Sequence, residues 1–97
     1  SINRVSVKQG SGTHVEQLVG RLFPAWREWQ AQGELRSTQV VRAEDGTEYA
    51  LVSVWESKEA HDRHEAEPIV AEVLQELAAH LAGSPNEFTG TVVAALE

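Results

Sequence analysis

An α+β domain with the element order βαββαβ is what this sequence predicts. Three observations point to it. The stretches 2–7 and 34–42 alternate along the chain as strands do, whereas 15–29 and 69–81 repeat apolar residues at helical spacing. Gly or Pro marks most of the junctions between them.

In "INRVSVKQG", Asn3, Val5 and Val7 share one face of a first strand, and Gly10-Ser11-Gly12 ends it. "THVE" has the form of a capping box, with Thr13 and Glu16 each able to satisfy the other's backbone N–H. Val15, Leu18, Val19, Leu22, Trp26 and Trp29 then follow at helical spacing. Pro24 lacks an N–H and crowds the carbonyl of Gly20, which predicts a kink or a break and restart. Gly33 closes the helix. "ELRSTQVVR" alternates as a second strand, and Asp45-Gly46 suits a type I′ hairpin turn. "YALVSVW" is apolar on both faces, as a strand covered on both sides would be.

Ser57 can cap a helix carrying His61 and His64, and Pro68 should break it and open another. The apolar positions of this last helix run from Ile69 to Leu81, with Gly83-Ser84-Pro85 beyond. "EFTGTVVAAL" reads as a fourth strand, apolar on both faces at its end. The whole is ferredoxin-like: a four-stranded antiparallel sheet with helices on one face, in a single domain spanning 1–97. Strands apolar on both faces need a second cover that the helices do not provide. A homodimer closing two sheets face to face supplies it.

The chain is 41% hydrophobic and 24% charged, as globular domains are. A formal charge of -7, with no basic run, argues against nucleic acid and membrane surfaces as partners. The absence of cysteine excludes disulfides and thiolate metal sites. No stretch reaches the roughly 20 apolar residues of a membrane span, and no secretory signal opens the sequence. Together these features predict a cytoplasmic protein. P-loop, dinucleotide and Ser–His–Asp patterns are missing.

The segment "YALVSVWESKEAHDRHEAEP" resembles that of the antibiotic biosynthesis monooxygenase (ABM) domains, members of the dimeric α/β-barrel superfamily. Those domains share an aromatic-rich strand ending in Trp-Glu-Ser, a helix with a His nine residues after the Trp, and a Pro. The matching positions are Trp55, Glu56, Ser57, His64 and Pro68. "INRVSV" is similar to the family's first strand, including its Asn, while only Gly33 matches the Pro-Gly-Phe opening of the second. The resemblance implies a dimeric α/β barrel and a monooxygenase that needs neither metal nor flavin and oxidises a phenolic, quinol or polyketide-like aromatic molecule with O₂.

It also implies His64 as the proton acceptor and Asn3 as the group orienting the substrate oxygen, the two catalytic candidates. Trp26 and Phe23, beside the Pro24 irregularity, are candidate substrate contacts. His61 joins them, although it stands where the family places packing aromatics. His64 is thus expected to line the pocket and His61 to serve the scaffold. His61 and His64 are neighbours at i,i+3, but "HDRHE" is not the HExxH zinc signature, so no metal site is expected. Two alternatives stand beside this reading. One is a non-catalytic dimeric module for an aromatic ligand. The other is heme degradation, weakened because the iron-ligating His would fall near Val73 or Leu74, neither of which has a donor atom.

Overall fold

The computed structural model describes residues 1–96. Strand β1 (Ile2–Ser6) leads to helices α1 (Gly12–Gly20) and α2 (Phe23–Ala31), then to the hairpin of β2 (Leu35–Arg42) and β3 (Glu48–Trp55). Helices α3 (Lys58–Glu65) and α4 (Pro68–Ala78) follow, and β4 (Asn86–Phe88) completes the sheet. The strand order β2-β3-β1-β4, antiparallel throughout, is the ferredoxin-like α+β arrangement that the alternation predicts.

Strand register sorts the side chains. Asn3 lies opposite Leu51 and Glu87, and Val5 opposite Tyr49. These residues share the face packed by the helices, with Val40 beside Leu51. One buried cluster joins Leu22, Trp26 and Trp29 to Leu35 and Val73. A second joins Val7, Val15, Tyr49 and Leu77. The periodic apolar residues of the first helical stretch therefore divide between two cores. On the opposite face Val41 is 48% exposed and Phe88, opposite Ile2, is 65% exposed. Large apolar groups at that exposure leave this face without a cover of its own.

Pro24 acts as a restart. It occupies the first turn of α2, where its missing N–H costs nothing, and α1 ends at Gly20. Pro68 opens α4 in the same way, with Glu67 at its N-cap. Ser57 caps α3 as expected, its Oγ accepting from the Ala60 N–H at 3.1 Å. Gly33 takes a φ of 77°, the left-handed conformation that ends a helix without a Cβ clash.

Four local expectations are corrected. The capping box does not form: Ser11 is the N-cap of α1 without a side-chain bond, and Thr13 is already inside the helix. The Glu16 carboxylate is drawn instead to the Tyr49 hydroxyl and Arg42. The hairpin turn is not type I′, because Gly46 has a positive φ of 73° but Asp45 does not. Gly46 N–H bonds to the Ala43 carbonyl, and Asp45 Oδ1 accepts from the Thr47 N–H, an Asx turn that leaves a five-residue connection. Helix α4 stops at Ala78, three residues short of Leu81, which instead makes a bridge to Val7. Finally, β4 covers only Asn86–Phe88, and 89–96 carries no strand, with Val93 and Leu96 almost fully exposed. Among the described residues no neighbouring strand lies beside this apolar run.

Candidate active site

The segment after β3 places two histidines one turn apart on α3, in unlike surroundings. His64 is 6% exposed and stacks on Trp29 of α2 at 4.4 Å between ring centroids, with Trp55 on β3 at 5.8 Å. Both of its nitrogens are engaged: Nδ1 lies 3.0 Å from Glu67 Oε2, and Nε2 lies 3.0 Å from Glu34 Oε2. Glu34 also accepts from the Arg63 guanidinium. His64 thus ties α3 to the start of β2 and the N-cap of α4, and it does not line the three clefts described below.

His61 meets the edge of Trp55, with centroids at 5.5 Å and planes at 84°. Its Nδ1 lies 3.0 Å from Asp62 Oδ1. The Asp62 carboxyl is held below its ordinary value, first by that hydrogen bond and then by Lys58. His61 Nε2 lies 3.1 Å from Glu65 Oε1, yet the angles do not make a hydrogen bond, and this buried nitrogen has no partner.

His61 also lines a cleft of about 420 Å³ at the end of β3. Trp55 forms part of its wall, with Ser53, Ser57, Lys58, Arg36 and the Glu56 paired with it as polar groups and residues 89–92 along the far side. Ser53 is 8% exposed, and its hydroxyl pairs with that of Thr38 at 3.0 Å. A shallower cleft of about 510 Å³ lies between α1 and α4 beside the stacked His14 and His80. The β3 cleft is the better candidate, because it joins an indole surface to convergent hydroxyl and cationic groups.

The remaining candidates scatter. Asn3 is half-buried and donates to Ser1 Oγ at a long 3.5 Å, and Ser1 lines the β3 cleft, so Asn3 reaches it only through a neighbour. Trp26 is buried in the core, with Phe23 edge-on against it at 5.0 Å. Phe23 faces a separate 180 Å³ hollow with Glu16, Arg42 and Tyr49. Neither Trp26 nor Phe23 lines the cleft that Trp55 and His61 share. His61 borders the β3 cleft, and His64 is enclosed. Ser53, Glu34 and Glu87 were not singled out from the sequence. Only register or tertiary packing brings them to this region.

The family model described as Antibiotic biosynthesis monooxygenase matches residues 1–76. The chain belongs to this family. No curated protein matches it. Among solved structures, Rv0793 from Mycobacterium tuberculosis superposes with a TM-score of 0.78 at 19% identity, covering 97% of this chain and 95% of the other. SnoaB, a cofactor-independent oxygenase from Streptomyces nogalater, gives 0.71 at 22% identity over 95% and 91%. PA3566 from Pseudomonas aeruginosa gives 0.73 at 14% identity over 94% and 91%. These likenesses establish a shared fold. Among the described residues no helix is long and apolar enough to cross a membrane.

Proposed function

We propose that this ABM-family chain is a cofactor-independent monooxygenase that oxidises a flat phenolic or quinol-type molecule bound in the β3 cleft. The observation that carries the reading is the junction of the Trp55 indole with the Ser53, Ser57, Lys58 and Arg36 side chains in one cleft. An aromatic ring packs on the indole while hydroxyls hold its oxygen. Lys58 and Arg36, although each is paired with a carboxylate, place positive charge where a phenolate would form.

The chemistry follows from the substrate. Loss of the phenolic proton to solvent at the rim puts electron density on the ring carbons ortho and para to the oxygen. One-electron transfer from the anion to O₂, and recombination at one of these carbons that bears hydrogen, form a C–O bond, and a proton from solvent completes the hydroperoxide there. Removal of the carbon-bound proton breaks the O–O bond. The carbon becomes a carbonyl, and hydroxide leaves to be protonated as water. One oxygen atom stays in the quinone, and all the electrons come from the substrate. In this reading His64 positions Trp55 and takes no proton, and Asn3 acts through Ser1.

A homodimer joined through the uncovered sheet face, and residence in the cytoplasm, belong to the same reading. Sedimentation should give a dimer at micromolar concentration, and Val52→Glu on that face should shift it to monomer. The enzymatic part is tested by following O₂ uptake over a panel of quinols. Stoichiometric uptake with quinone and water as products is expected, and uptake at the buffer rate with every member would overturn it.

The enclosure of His64, the base that the family resemblance implies, favours the non-catalytic aromatic-binding module as the second reading. That module would quench Trp55 fluorescence on binding a quinol without consuming O₂. Heme degradation loses ground, since Val73 is 1% exposed within the core and offers iron no donor.

A further inference from the structure

We propose that His61, Glu65 and Glu87 form a binding site for a divalent metal ion of the zinc class, clipping β4 to α3. One ligand atom from each of the three lies within 4.8 Å of the others. The decisive feature is His61 Nε2. The residue is 8% exposed, and this nitrogen is buried without a hydrogen-bond partner, 3.1 Å from a carboxylate oxygen. With its proton on Nδ1, the imidazole would turn a lone pair toward Glu65. Two acceptors facing each other repel unless a cation lies between them.

Nδ1 is committed elsewhere, 3.0 Å from Asp62 Oδ1. A carboxylate on the far nitrogen favours the tautomer that leaves Nε2 free to ligate, an arrangement that recurs around metal-bound histidines. Glu65 lies one turn along α3, so its carboxylate follows from helical spacing. Glu87 comes from β4, opposite Asn3 on the helix-packed side of the sheet. One imidazole and two carboxylates suit zinc, whose bonds to nitrogen and oxygen run about 2.0–2.2 Å. Donors in such a shell stand roughly 3.3 Å apart, so Glu87, an exposed side chain, closes the remaining gap. Three protein ligands leave a fourth position for water.

The consequence for the fold is local. Strand β4 has three residues, all exposed, and among the described residues it pairs only with β1. A metal shared between α3 and β4 would fix the strand that leads into residues 89–92. The proposal departs from the sequence expectation of no metal, which paired His61 with His64. In the structure those two turn to different partners.

The test uses the full chain, free of any polyhistidine tag, stripped with a chelator and then dialysed against zinc sulfate. Elemental analysis should find one zinc per chain, and zinc should raise the thermal midpoint by mass action. His61→Phe should abolish retention. Glu65→Gln and Glu87→Gln should each weaken it at least about tenfold, and Asp62→Asn by about 10- to 100-fold through the tautomer it sets. Glu59→Gln on the same helix should change nothing. Glu87 is exposed, so its variant keeps the proposal testable if His61→Phe fails to fold by circular dichroism. Failure to retain zinc would overturn the site. So would retention unaffected by Glu87→Gln but lost on replacing His80 by Ala.

Discussion

His61 and His64 stand three residues apart on one short helix, and their surroundings differ in nearly every respect. His64 is stacked on Trp29 and bonded at both nitrogens by Glu34 and Glu67. His61 is bonded at one nitrogen, has a buried lone pair without a partner, and borders a cleft. A separation of three residues turns a side chain about 60° around a helix axis. That turn carries one imidazole into the seam between α2 and β3 and leaves the other at the edge of β4. The first arrangement ties elements of the fold together, whereas the second leaves a nitrogen without a hydrogen bond, the one the proposed metal would take.

The sharpest way to break this comparison is to truncate the satisfied partner. His64→Ala should lower stability by about 2–4 kcal/mol, from the cavity beside Trp29 and the loss of two bonds to carboxylates. Urea unfolding followed by tryptophan fluorescence measures it. His64→Gln preserves hydrogen bonding and separates the roles: turnover of a quinol substrate should stay within about tenfold of the parent. A loss of about 10²-fold in a folded His64→Gln protein would restore His64 as the general base implied by the family resemblance.

The same substitution logic gives the opposite result at the other histidine. In zinc-free protein, His61→Phe removes a buried acceptor without a partner and keeps the edge-on contact with Trp55. Stability should change by less than about 1 kcal/mol, or rise. Equal destabilisation by His64→Ala and His61→Phe would erase the distinction between the two positions.

The architecture was readable because periodicity reports local geometry. Alternation in 2–7 and 34–42, the Pro at 24 and 68, and the Ser57 cap each act within a few residues, and the structure places them accordingly. The failures came where a distant group competed. Glu16 left the capping box for Tyr49 and Arg42, partners 33 and 26 residues away. The β4 extension failed because an apolar run becomes a strand only beside a partner strand. The site was less legible for the same reason. Glu34, Glu67 and Trp29 decide what His64 does, and Glu87 decides what His61 meets. No spacing rule links Glu87 to His61 across 26 residues of chain.

Ser57 sharpens the comparison from the start of α3. Its Oγ accepts from the Ala60 N–H and helps to orient both histidines through the helix they share. Ser57→Ala should cost about 1 kcal/mol in chemical denaturation. Ser57→Asp retains the cap and should recover most of that loss. If the alanine variant equals the parent, packing alone sets the helix start.

A third polar cluster, far from α3, calibrates the smallest effect. The Tyr49 hydroxyl donates to Glu16 Oε2 at 2.6 Å, and Arg42 lies 3.1 Å from the same oxygen. The Glu16 carboxyl is held below its ordinary value, chiefly by the tyrosine hydrogen bond, with desolvation opposing it and Arg42 adding a weaker pull in the same direction. A carboxyl depressed in the folded state favours folding above the ordinary glutamate value. That contribution is lost as pH falls through the lower folded value. Glu16→Gln should therefore be less stable than the parent near neutral pH and indistinguishable from it once both are well into acid. Because the carboxylate is open to solvent, the gap should be small and should narrow further in salt. Thermal midpoints of the two proteins across the acid range measure it. A gap that stayed constant with pH would assign the difference to packing at Tyr49 and remove charge from the explanation.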